Sequence, residues 1–173
     1  MEKELKREVI YDGKILQLTK ETVELENGNQ AYREVVYHHG GVCILAVKDH
    51  KILLVKQFRY PNRMDTLEIP AGKLEKDEDP QTCAFRELEE ETDFRASNMK
   101  FLMKFLPSPG YTSEWLYLYE AQDFKHVDDA LACDDDEDID IVWMDIDEAY
   151  QNVLNGTIVD AKTVIAIMYL KSK

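Results

Sequence analysis

The chain has 173 residues, 45% of them hydrophobic and 32% charged, which is the balance of a globular protein with one domain and at most a small appendage. Its formal net charge of −14 repels nucleic-acid backbones and anionic lipid, and so argues against either as a partner. A phosphate-bearing substrate would need local arginines or a bound metal ion to meet it.

In chain order, residues 1–39 read as a small antiparallel sheet of three strands. Val9–Tyr11 runs into Asp12-Gly13, Ile15–Leu25 alternates, and Ala31–Tyr37 returns after Asn27-Gly28, a strong hairpin signal. A three-stranded sheet encloses little core, so it should pack on something else, a second subunit included. From Gly40-Gly41 the character changes, and residues 40–173 read as the main domain. Val42–Val47 and Lys51–Phe58 are continuous apolar runs, predicted as buried paired strands around a turn at Asp49-His50.

A helix is predicted over Pro80–Glu91, with Asp79 as N-cap and Pro80 in the first turn. Strands are expected at Phe101–Phe105, Trp115–Tyr119 and Ile141–Met144, then helices at Asp147–Leu154 and Ala161–Leu170. The order implies an α/β (α+β) fold, a mixed sheet sandwiched between helices beside the small N-terminal sheet.

Cys43, Cys83 and Cys133 are odd in number and widely spaced, which suits reduced thiols in a cytoplasmic protein. No apolar run is long enough for a membrane span, and Met1–Lys14 lacks the apolar region of a signal peptide. The four histidines do not recur at zinc spacing.

The most informative segment is Gly72–Glu78 leading to Arg86-Glu87-Leu88-Glu89-Glu90-Glu91. On a helix Glu90 and Glu91 lie three and four residues beyond Glu87, so the three carboxylates share a face while Ala84 and Leu88 point elsewhere. Such clustering destabilises an isolated helix. It is either a solvated acidic face or an oxygen-ligand site for a hard cation such as Mg²⁺, with Arg86 orienting a carboxylate.

Gly72, Glu78, Arg86, Glu87, Leu88, Glu90 and Glu91 fall in register with the Nudix box, and the segment resembles that family. Asp93 stands where the family has a glycine that ends the helix in a left-handed conformation. Asp tolerates that region better than most residues, so a strained but intact loop is expected. Gln57–Tyr60, Glu68–Gly72, Ser108–Glu114 and Asp160–Thr163 are similar to bacterial ADP-ribose pyrophosphatases.

The resemblance implies an enzyme that uses Mg²⁺, or Mn²⁺, to hydrolyse a nucleoside diphosphate sugar, with ADP-ribose giving AMP and ribose 5-phosphate. It implies metal ligation by the Ala71 carbonyl, Glu87, Glu91 and Glu137, with Glu90 close by. Glu78 would brace the loop through Arg86, with Gly72 as a structural part of the motif. Asp135 and Glu137 fall on the family's Glu-x-Glu, which supplies the general base; Asp135 is one methylene shorter, so the base stays open between them.

Arg59 is placed to meet phosphate. Ile15, Arg33 and Glu34 resemble residues that reach the nucleotide from a partner subunit across a homodimer, and Ser108, Pro109, Gly110 and Glu114 resemble the loop at the terminal ribose. Two alternatives stay open, another nucleotide sugar such as GDP-mannose and a binding module that senses ADP-ribose without cleaving it.

Overall fold

The computed structural model describes residues 1–132 and 139–173. The chain forms two compact units, one of Met1–Gly40 with Leu106–Trp115, the other of Gly41–Phe105 with Leu116–Lys173.

In the first unit β1 (Lys3–Asp12), β2 (Leu16–Glu24) and β3 (Gln30–His38) form an antiparallel sheet in chain order. The Asn27-Gly28 hairpin closes as its sequence predicts. Gly28 has φ 80° and its N–H donates to the Leu25 carbonyl at 2.9 Å. β1 is far longer than the expected Val9–Tyr11. Its charged first half carries no apolar alternation, and the hydrogen-bond ladder to β2, not side-chain burial, extends it.

Leu106–Trp115 belongs to this unit because the Val36 N–H donates to the Tyr111 carbonyl at 2.8 Å and the Ser113 N–H to the Val36 carbonyl at 3.0 Å. The Ser113 hydroxyl also accepts from the His38 N–H at 3.1 Å.

In the second unit β4 (Gly41–Lys48) is central. It pairs in parallel with β10 (Leu116–Gln122) and antiparallel with β5 (Lys51–Arg59). The mixed sheet runs β12 (Ile139–Asp145), β5, β4, β10, β9 (Asn98–Phe105), with β6 (Met64–Glu68) added to β5 and β7 (Ala71–Lys73) to β4. β8 (Phe94–Arg95) and β11 (Lys125–His126) form a separate ribbon. The turn between β4 and β5 puts Asp49 and His50 at φ 50° and 61°, the pair of left-handed residues that a two-residue hairpin needs.

The helices are α1 (Pro80–Thr92), α2 (Ile146–Leu154) and α3 (Ala161–Lys171). Alternate residues of β4 explain the sandwich. Cys43 and Leu45 join a core with Ile146, Ala149, Ala166 and Ile167 of α2 and α3, whereas Val42, Ile44 and Ala46 join one with Cys83, Ala84 and Leu88 of α1. A strand buried on both faces must read as a continuous apolar run, and β4 does. Each large side chain so buried contributes about 1.5–3 kcal/mol. Cys43 and Cys83 are free thiols within these cores, and burial pushes Cys43 up to about 12. Cys133 lies outside the described residues. No helix among the described residues is long and apolar enough to cross a membrane.

α1 begins where its sequence predicts. Asp79 caps it by accepting from the Thr82 N–H at 3.0 Å, with Pro80 next. It ends at Asp93, whose φ of 57° and ψ of 21° place it in the left-handed region; its N–H donates to the Glu89 carbonyl at 3.0 Å. The aspartate therefore performs the turn expected of a glycine.

Candidate active site

The polar face of α1 meets the chain that leads from β7 into the helix. The Glu87 carboxylate lies directly against the Gly72 backbone, where a Cβ would fall 1.8 Å from the Glu87 Cδ. One turn further, the Glu91 carboxylate accepts from the Ala71 N–H at 2.9 Å. Both side chains are buried, at 8% and 6% exposure. Such burial of carboxylates is costly unless positive charge or donors compensate it.

Arg86 supplies part of that compensation. Its guanidinium meets Glu78 at 3.1 Å, Glu87 at 2.8 Å and Glu90 at 2.7 Å. Burial opposes its charge, but the bond to Glu78 and the charges of Glu87 and Glu90 hold it ionised beyond the ordinary arginine range. Glu78 also accepts from the Glu75 N–H at 2.9 Å, so the pair ties the loop to the helix. Three carboxylates thus gather around one guanidinium, with Glu91 on the Ala71 N–H beside them. Hard oxygen donors in this arrangement suit a divalent cation, which Glu87, Glu91 and the Ala71 carbonyl could hold.

A second network lies at the end of β5. Arg59 grips Glu68 with one edge of its fork, Nε to Oε1 at 2.7 Å and Nη2 to Oε2 at 2.6 Å. Thr66 donates to the same Oε1 at 2.6 Å, and Lys162 of α3 donates to Oε2. Burial pushes Glu68 up, but the Arg59 bond, the Lys162 charge and bond, and Thr66 together hold its carboxyl down at about 2.

Sequence reasoning singles out Arg59 but gives Glu68 and Lys162 no role. The available signal is a lone carboxylate in the apolar run Leu67-Glu68-Ile69. Glu89 likewise carries no signal of its own. It accepts two bonds from Arg95 at 2.8 Å and one from the Leu131 N–H at 3.1 Å.

The remaining predicted residues belong to the first unit. Ile15 is exposed between β1 and β2, Glu34 is exposed on β3, and Arg33 donates through Nε to Glu2 at 3.1 Å. The Ser108 carbonyl accepts from the N–H groups of Tyr111 and Thr112 at 3.4 and 3.3 Å, closing a turn over the exposed Pro109 and Gly110. Glu114 approaches His38 Nδ1 at 3.7 Å. That nitrogen accepts from the Gly40 N–H at 3.0 Å. The structure thus joins Ser108–Glu114 to β3. Tyr117 packs on the core, whereas Tyr111 and Trp115 are exposed. Asp135 and Glu137 lie outside the described residues.

His50, Asp145 and Asp147 are the one group among the described residues whose ligand-type atoms all lie within 4.8 Å of one another. Local structure accounts for them. Asp145 caps α2 by accepting from the N–H groups of Asp147 and Glu148, and Asp147 pairs with Lys171 at 2.6 Å. The carboxylates around Arg86 are spread more widely, as an arginine inserted among them requires.

The chain is 43% identical to a methanol dehydrogenase activator of Bacillus methanolicus, over 98% of this chain and 92% of that protein. It is 41% identical to an ADP-ribose pyrophosphatase of Bacillus subtilis strain 168, over 99% and 94% respectively. The fold matches the crystal structure of an ADP compounds hydrolase with a TM-score of 0.86, covering 99% of this chain and 92% of that one at 21% identity. The NUDIX domain model matches residues 37–166, which take in the sheet, the Gly72 loop and the carboxylates of α1. This chain therefore belongs to the NUDIX family, as a Nudix hydrolase.

Proposed function

We propose that this hydrolase cleaves the diphosphate bond of a nucleoside diphosphate sugar in the cytoplasm, converting ADP-ribose and water to AMP and ribose 5-phosphate. The observation that carries this reading is the seat of the buried Glu87 carboxylate against Gly72, beside Glu91 on the Ala71 N–H. A phosphate substrate could not approach that charge unaided.

Glu87, Glu91 and the Ala71 carbonyl would hold Mg²⁺, or Mn²⁺ in its place, with Glu90 beside them. When bound, the cation offsets charge on the phosphate oxygens and makes a water more nucleophilic. Arg86 and Glu78 keep the ligand helix and the Gly72 loop in register. Arg59 donates to a phosphate of the substrate. Asp135 or Glu137 would take the proton of the attacking water, and Glu137 would add a further ligand. One phosphorus–oxygen bond forms from water, the bond to the bridging oxygen breaks, and that oxygen leaves with the other phosphate.

Residues 1–39 and 40–173 act as two functional parts. Ile15, Arg33 and Glu34 of the first serve the nucleotide across a homodimer, while Ser108, Pro109, Gly110 and Glu114 border the terminal ribose. The exposure of β1 along its whole length, with Leu5, Val9, Ile10 and Tyr11 open, supports a partner surface there.

Product analysis on a panel of nucleoside diphosphate sugars, with and without Mg²⁺, tests the reading. AMP forming fastest from ADP-ribose, only with metal, is the expected result. Faster cleavage of GDP-mannose moves the substrate, and tight ADP-ribose binding without cleavage replaces the enzyme with a sensor. Glu87→Gln and Glu91→Gln should each lower kcat/KM at least about 100-fold and weaken the dependence on metal concentration. Unchanged rates in both would remove the metal site from this helix.

A further inference from the structure

We propose that Glu68 is a positioning residue for this hydrolysis, holding the Arg59 guanidinium in the orientation that presents its free edge to the substrate diphosphate. The inference rests on the reading above, that the substrate carries a diphosphate which Arg59 meets.

Three elements converge on one carboxylate. Arg59 closes β5, Thr66 and Glu68 stand on β6, and Lys162 lies in the first turn of α3. The two Glu68 oxygens accept from Arg59 Nε and Nη2, from Thr66 Oγ1 and from Lys162 Nζ. Neither oxygen can turn without breaking bonds on both sides.

On the inner side Lys162 lies between Glu68 and Asp160, 3.1 Å from the latter, so one lysine stands against two carboxylates. Arg59 brings the second positive charge from the outer side, with its side chain 41% exposed against 3% for Glu68. Its fork therefore has one edge fixed on Glu68, with Nη1 on the side away from that carboxylate.

The ionised form of Arg59 is favoured first by the Glu68 bond. The charges of Asp160 and of Glu91 on α1 add to it. A free arginine must be ordered when it binds phosphate, at a cost in side-chain entropy. One already locked by a bidentate carboxylate presents its donors with that ordering complete.

The test is a double-mutant cycle of Arg59→Gln and Glu68→Gln. kcat and KM are measured on the best substrate of the panel, with thermal unfolding of each variant in parallel. Glu68→Gln should lower kcat/KM about tenfold or more, and the double variant should be no worse than Arg59→Gln alone. Losses that multiply, or a Glu68→Gln variant with unchanged kcat/KM, overturn the proposal.

Should Glu68→Gln fail to fold, Thr66→Val makes the same test without disturbing charge. It should raise KM about fivefold in the native background and leave it unchanged in Arg59→Gln; an unchanged KM in both overturns the proposal. If no compound is hydrolysed, the hydrolase reading of the substrate fails separately. The cycle is then read as calorimetric affinity for ADP-ribose, where weakening that does not multiply supports the role of Glu68 and no weakening overturns it.

Discussion

The Glu87 carboxylate occupies the space that a side chain at residue 72 would need. A Cβ built on Gly72 would fall 1.8 Å from the Glu87 Cδ and 2.0 and 2.1 Å from its two oxygens. Gly72→Ala must therefore push Glu87 away, because the atoms it meets are the end of that flexible side chain, which can move without disturbing the fold. We expect at least about a 100-fold loss of kcat/KM from this displacement, with the far-UV circular dichroism of the native fold. Activity within a factor of a few of wild type would mean that the position of Glu87 is not critical.

Acid stability should report on Glu68. Its carboxyl is held at about 2 in the folded protein against an ordinary value of 4.5. A depressed folded value gives stability that is complete above 4.5 and is lost as pH falls through the folded value. The contribution is about 3 kcal/mol. Urea unfolding between pH 6 and pH 2 should show this loss in wild type and a flatter profile in Glu68→Gln. Identical profiles would mean that the carboxyl is not depressed.

Asp93→Gly should stabilise the protein without changing turnover. The aspartate holds φ 57° at the C-terminus of α1, a conformation that costs a side chain energy and a glycine little. A gain of about 1 kcal/mol is expected, visible as a rise in Tm of about 2–4 °C. A lower Tm would show that the Asp93 side chain contributes more than its backbone costs.

Removal of residues 1–37 should leave a monomer with weak substrate affinity, as scored by light scattering and KM. It should also expose Leu106–Trp115 to proteolysis, because the bonds from Val36 and the strand beside it go with the truncation. A fully active truncated monomer, resistant to cleavage in that segment, would contradict both expectations.

Features set by near neighbours along the chain are legible in the amino-acid sequence alone. The Asp79 cap, the Asn27-Gly28 and Asp49-His50 turns and the left-handed Asp93 all depend on residues within a few positions. The face shared by Glu87, Glu90 and Glu91 follows from helical spacing. The apolar run of β4 signals burial on both faces. β6, β7, β8 and β11 are not legible, because strands of two to five residues carry too short a pattern and exist through their partners.

The same limit hides the Glu68 network and the docking of Ser113 on His38, which join residues 94 and 75 positions apart. Local chemistry wrote the helix, its cap and its acidic stripe into the sequence. Packing alone decided which carboxylate meets Gly72, which grips Arg59, and that the segment after β9 completes the N-terminal sheet. Contacts between distant residues leave no periodic trace along the chain, since their energy arises only once burial has brought the partners together.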